Sequence, residues 1–186
     1  MSRTLRVVLG VLITVSTVLC QDAAKPDAYM GVAMGTGGSV GTKSIGFNFR
    51  VNRYTTDDEV DQLAALLKEK GQDNLRRAME KLDVGRVSPV GSTGNQIAVA
   101  RKKQVGTETV ITIVTARIMP FVELYRNGRS TDYPFGFIQV KLNDKGEGNG
   151  QILVAAKIRF DKKKQHYEIE SLGNQYIKAV NVRPAK

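Results

Sequence analysis

The chain has 186 residues, with 28 Lys and Arg against 18 Asp and Glu, and a formal net charge of +10. Its one cysteine and one histidine exclude a disulfide framework and a zinc site built from His and Cys ligands. The length suits a single domain, and the charge would draw that domain to anionic surfaces or polyanions at low salt.

The beginning of the chain reads as an export signal. Arg3 and Arg6 precede an apolar run over residues 7–19, and no acid occurs before Asp22. At ~1.5 Å per residue this run spans roughly 20 Å of helix, short of the ~30 Å of hydrocarbon that a permanent anchor must cross. Residues 1–20 are therefore expected to be a signal peptide, leaving no transmembrane segment in a periplasmic or extracellular mature chain. Lipid attachment at Cys20 is the alternative, although Leu19 is bulky where lipoprotein signals carry a small residue. Residues 21–28, with Pro26, read as a flexible leader, and residues 29–186 as one domain.

Residues 29–36 and 43–54 read as two strands around a Gly-rich turn. Phe47, Phe49 and Val51 alternate with Asn48, Arg50 and Asn52, which marks a half-buried strand. The period then changes. Thr56 with Glu59 forms a capping box, and Val60, Leu63, Ala64 and Leu67 share one face of a helix ending at Gly71. Leu75, Ala78, Met79 and Leu82 repeat that spacing in a second helix. From Asp83 onward the pattern is strand-like: 97–104 with 109–119, 135–142 with 151–160, then 167–171 and 176–182. Connections this short force antiparallel neighbours. The expected fold is α+β: a curled, mainly antiparallel sheet of seven to nine strands, barrel-like in closure, with two short helices inserted after the second strand. Closure would remove exposed edges.

Few residues suggest chemistry. Residues 35–44 imitate a phosphate-binding loop, but Thr42 interrupts the Gly-Lys-Ser order and a strand follows where a helix N-terminus is needed. Asp57, Asp58, Glu59 and Asp61 fit first-turn acids complementing a helix dipole better than a metal cluster. His166, beside Lys162, Lys163 and Lys164, reads as a solvent-facing strand start. The basic clusters there and at Arg101, Lys102 and Lys103 lack an interleaved aromatic platform, so no nucleic acid is expected. No nucleophile elbow is present, and no catalytic residue, metal or cofactor is expected. The candidate ligand-binding residues are Arg117 with Tyr125, Arg129, Asp132, Tyr133 and Phe135, a concentration of aromatic, basic and acidic groups around a predicted loop. The competing reading is a structural corner, with Asp132 paired to Arg129 or Arg117 while Tyr133 and Phe135 plug the end of the sheet.

Five short motifs run in order along the chain: Arg53 to Asp57, Gly71 with Gln72, Thr115 to Arg117, Asp132 to Phe135, and Gly146 to Gly148. On these residues the chain resembles a family of exported bacterial proteins of uncharacterised function. The resemblance implies a secreted domain with the same element order and carries no activity or site. Two functions remain: a non-catalytic envelope module holding a small apolar or amphipathic ligand such as a lipid, or a structural protein docking by a basic face to anionic envelope polymer or a protein partner.

Overall fold

The computed structural model describes residues 26–35, 43–121, 130–173 and 177–185. The proposed signal peptide and the Gly-rich turn lie outside these residues. The chain runs β1 (Asp27–Gly35), β2 (Lys43–Val51), α1 (Asp57–Lys70), α2 (Gln72–Met79), β3 (Gly85–Pro89), β4 (Asn95–Ile97), β5 (Val99–Val105), β6 (Glu108–Thr115), β7 (Phe135–Leu142), β8 (Gly148–Asp161), β9 (His166–Ser171) and β10 (Ile177–Pro184). All strands belong to one antiparallel sheet in the order β4-β3-β2-β1-β10-β8-β7-β6-β5, with β9 paired to β8. The expected α+β fold and helix insertion are observed. β1 starts two residues earlier than expected, because Asp27 pairs with Val51 of β2.

β4 and β5 are two halves of one strand kinked at Ala98, which leaves nine continuous runs of strand. Ile97 at the end of the first half accepts from Val84 N–H at 3.0 Å, and Ala98 N–H donates to the Val114 carbonyl at 2.9 Å. The first half therefore pairs with β3 and the second with β6, so that one kinked strand joins both ends of the sheet. The sheet curls into a nearly closed barrel, and its strands find their backbone partners around the ring. Beyond the ring, the second half of β8 and all of β9 project as a two-stranded arm.

Strand alternation divides the apolar residues into two cores. Phe47, Phe49, Ile111, Ile113, Ile138, Ile152, Ala179 and Val182 point into the barrel and are at most 1% exposed. There Phe121 meets the Phe47 ring edge-on at 5.8 Å, and Tyr29 stacks on Phe49 at 5.0 Å. Val114, Phe135, Phe137 and Ala156 face outward, where Leu67 of α1 and Leu75 and Met79 of α2 cover them. The helices thus clad the outside of the barrel.

Helix α1 is tied to the sheet at its first turn. Thr56 Oγ1 accepts from Glu59 N–H at 3.2 Å, and the Glu59 carboxylate accepts from Thr56 N–H at 2.9 Å and from both Arg53 Nη groups at 2.9 Å. Thr56→Ala should cost about 1 kcal/mol of unfolding free energy, measurable by urea titration. The fork from Arg53, then the Thr56 amide, hold the Glu59 carboxyl down at about 2, from an ordinary 4.5. A depressed carboxyl stabilises the fold above its unfolded pKa and loses that contribution as pH falls from 4.5 toward 2. A carbonyl-detected NMR titration should show this low midpoint, and Arg53→Gln should return it toward 4.5.

Candidate functional site

The sequence-nominated residues do not converge on one site. Tyr125 and Arg129 lie outside the described residues. Phe135 is fully buried beneath the helices, in the outer core. Tyr133 donates its hydroxyl to Glu170 Oε1 at 2.7 Å, a bond that pushes the phenol pKa up, and Lys157 sits 5.9 Å from its ring. The Asp132 backbone carbonyl accepts from Gln72 Nε2 at 3.0 Å. Gln72 also accepts from Ile158 N–H at 3.1 Å, so one side chain joins α2, the 130–134 segment and β8. Neither Asp132 nor Arg117 makes an ion pair among the described residues. The described part of this loop is engaged by α2, the outer core and β9, and Arg117 is exposed.

A partly buried trio of ionisable side chains is also a joint. Tyr54 donates to Asp27 Oδ2 at 2.7 Å and Lys102 Nζ donates to the same oxygen at 3.0 Å. Burial pushes the Asp27 carboxyl up, but these two donors and the Lys102 charge outweigh it and hold it below its ordinary value. Burial, then the bond to Asp27, raise the Tyr54 phenol far above its ordinary range. The three groups satisfy one another at the start of β1. His166 behaves similarly: it is exposed, and its Nε2 lies 3.0 Å from Glu168 Oε1.

A carrier holding its ligand between the helical pair and the sheet would have to part Leu67, Leu75 and Met79 from Phe135 and Phe137, which pack together there. The barrel interior is lined by buried side chains such as Phe47, Phe49 and Ile152. A Cβ on Gly31 would stand 3.0 Å from the Phe47 ring and from Val182, so even a methyl group crowds this wall. The larger clefts bounded by described residues are open to solvent, and one of them reaches Gly31, Phe47 and Val182.

Across the surface the charge is segregated. β2, β3, β4, β5, β7 and β10 contain no Asp or Glu, yet they carry basic residues: two in β2, one in β3, three in β5, one in β7 and two in β10. Acids stand on the helices at Asp57, Asp58, Glu59, Asp61, Glu69 and Asp73, on the β8–β9 arm at Asp161, Glu168 and Glu170, and singly on β1 at Asp27 and β6 at Glu108, with Asp144 and Glu147 between β7 and β8. Arg101 is spent on Asp57 and the Thr55 carbonyl, and Lys102 on Asp27. Arg50, Lys103, Lys141, Lys178 and Arg183 are exposed and make no ion pair among the described residues. Arg50 and Arg86 stand directly opposite each other across β2 and β3, a juxtaposition of like charges that costs stability.

An open groove of about 610 Å³ crosses this wall, bordered by Lys141 and Lys178 and lined with Gln139, Asn149 and Gln151. Strand spacing places the two lysines about 12 Å apart, close to the Debye length at moderate salt. A second groove of about 820 Å³ shares Asn149 and carries Arg183, with Glu147 at its border. Motif reading misses this groove because Lys141, Lys178 and Arg183 are isolated in sequence, while the Arg101–Lys103 cluster reads only as a basic run. Counting acids strand by strand finds it.

Among the described residues no helix is long and apolar enough to cross a membrane. In comparisons with known proteins, the chain matches no family model, no curated protein and no solved structure.

Proposed function

We propose that the protein is a non-catalytic exported module that docks to an anionic envelope polymer through the outer wall of its barrel. The supporting observation is that the acid-free strands β7 and β10, on either side of β8, place Lys141 and Lys178 at the borders of a groove rich in amide side chains. Unpaired exposed lysines attract carboxylate or phosphate groups along a chain, and Gln139, Gln151 and Asn149 supply hydrogen-bond donors and acceptors between them. The basic, apolar start of the chain supports export to the compartment where such polymers occur. A polymer fits this wall better than a lipid surface does. Membrane-surface binding draws on bulky apolar groups that enter the interface, and no aromatic side chain lines the Lys141–Lys178 groove.

Fluorescence anisotropy of the mature protein with a labelled acidic polysaccharide tests the reading. Binding is expected near 20 mM salt and should be lost toward 1 M, where the Debye length shrinks to about 3 Å. Absence of binding at low salt, or binding indifferent to salt, would overturn it.

A further inference from the structure

Beside the wall lies a smaller cleft of about 210 Å³, between the end of α2, the β3–β4 hairpin and the segment after β6. Its chemistry differs from that of the wall. Arg86 and Arg117 both line it, along with Glu80, Asn95 and Gln96. Arg86 has one Nη donating to the Thr93 carbonyl at 3.0 Å, and Arg117 makes no ion pair among the described residues. The one carboxylate in the lining, Glu80, already holds Arg76 through one oxygen at 2.5 Å. Two guanidinium forks thus border one small space with no carboxylate of their own.

The amides add a second requirement. Asn95 spends its Nδ2 on the Ile118 carbonyl at 2.6 Å, and Gln96 spends its Nε2 on the Leu82 carbonyl at 2.7 Å. Each keeps its amide oxygen as an acceptor, as does the second oxygen of Glu80. The cleft therefore combines planar donors suited to an oxyanion with acceptors suited to hydroxyl groups. Its volume, below the ~300 Å³ at which drug-sized pockets begin, admits one small polar unit.

We infer that this cleft binds a single sugar-acid unit, its carboxylate between Arg86 and Arg117 and its hydroxyls toward Glu80, Asn95 and Gln96. For the source of that unit, a residue of the docked polymer, the inference rests on the docking reading. Arg86 belongs to both surfaces, since it also faces Arg50 on the wall. A chain end seated in the cleft would thus place the following units along the basic strands.

The test is an NMR titration of the arginine Nε–H signals of the mature protein at low salt with glucuronate, inorganic phosphate and glucose as probes. Glucuronate should shift the Arg86 and Arg117 signals saturably, and glucose should shift neither. Arg117→Gln should weaken glucuronate at least tenfold, whereas Lys178→Gln on the wall should leave it unchanged. Arg117 is exposed, so its replacement leaves the fold intact. Phosphate binding as tight as glucuronate would overturn the sugar-acid assignment in favour of a phosphoryl group. Polysaccharide binding without any glucuronate shift would overturn the cleft and leave the docking reading standing. Saturable glucuronate shifts without polysaccharide binding would support the cleft, with the free sugar acid as its ligand, and overturn the docking reading.

Discussion

Phe47→Ala is expected to destabilise the protein by about 3–5 kcal/mol, a large share of the ~5–15 kcal/mol that holds a typical domain folded. The ring is fully buried and touches the interior on several sides, with Phe121 edge-on at 5.8 Å and Phe49 at 6.4 Å. Collapse cannot repair the loss easily. The walls around the ring are hydrogen-bonded strands closed on themselves, and Gly31, which faces the ring, has no side chain to move into the space. Urea unfolding should show a lower midpoint at unchanged slope, the sign of a stability change without a change in the surface exposed. A cost below about 1 kcal/mol would mean that the interior is loosely filled, and would restore the ligand-carrier reading.

The second large effect concerns the wall. Lys141→Glu together with Lys178→Glu should lower affinity for acidic polysaccharide at least tenfold at low salt, since both borders of the groove change from attraction to repulsion. Lys162→Glu with Lys163→Glu makes the same change in net charge at the tip of the β8–β9 arm, away from the groove and the cleft, and should have little effect. Equal losses in the two double variants would show that net charge alone drives binding. Arg50→Gln separates binding from folding. Relieving its repulsion with Arg86 should raise stability by a few tenths of a kcal/mol while weakening the polymer interaction.

Much of this architecture is legible in the sequence because period 2 and period 3.6 are cleanly separated. The strand expected over 135–142 is observed as β7 with the same bounds, and the Thr56–Glu59 box opens α1. One strand of the ring, β3, is not legible in the sequence. β3 is five residues, Gly-Arg-Val-Ser-Pro, and its one buried apolar side chain, Val87, sits between a glycine and a proline that signal a turn. Gly85 is there for closeness: a Cβ would lie 2.0 Å from the Arg50 carbonyl oxygen. The family-like motifs also take on physical meaning as joints. Arg53, Tyr54 and Thr56 fasten β1 and α1, Gly71 at φ 78° turns one helix into the next, and Gln72 pins α2 to β8. The described residues of the candidate loop are engaged by three neighbours. Phe135 goes to the outer core, Tyr133 to Glu170, and the Asp132 carbonyl to Gln72. The basic wall escaped motif reading because its residues come together only through strand pairing.

The pairing of β1 with β10 places Tyr29 opposite Pro184, so the ring joins the beginning of the domain to its end. Contacts of such sequence separation form late and slowly, since loop closure must come before any gain from the contact. For a polypeptide threaded through a membrane beginning-first, the barrel cannot close until the last strand has emerged. If the chain is exported as proposed, this topology would act as a timer, keeping it linear for transit and postponing the barrel until passage is complete.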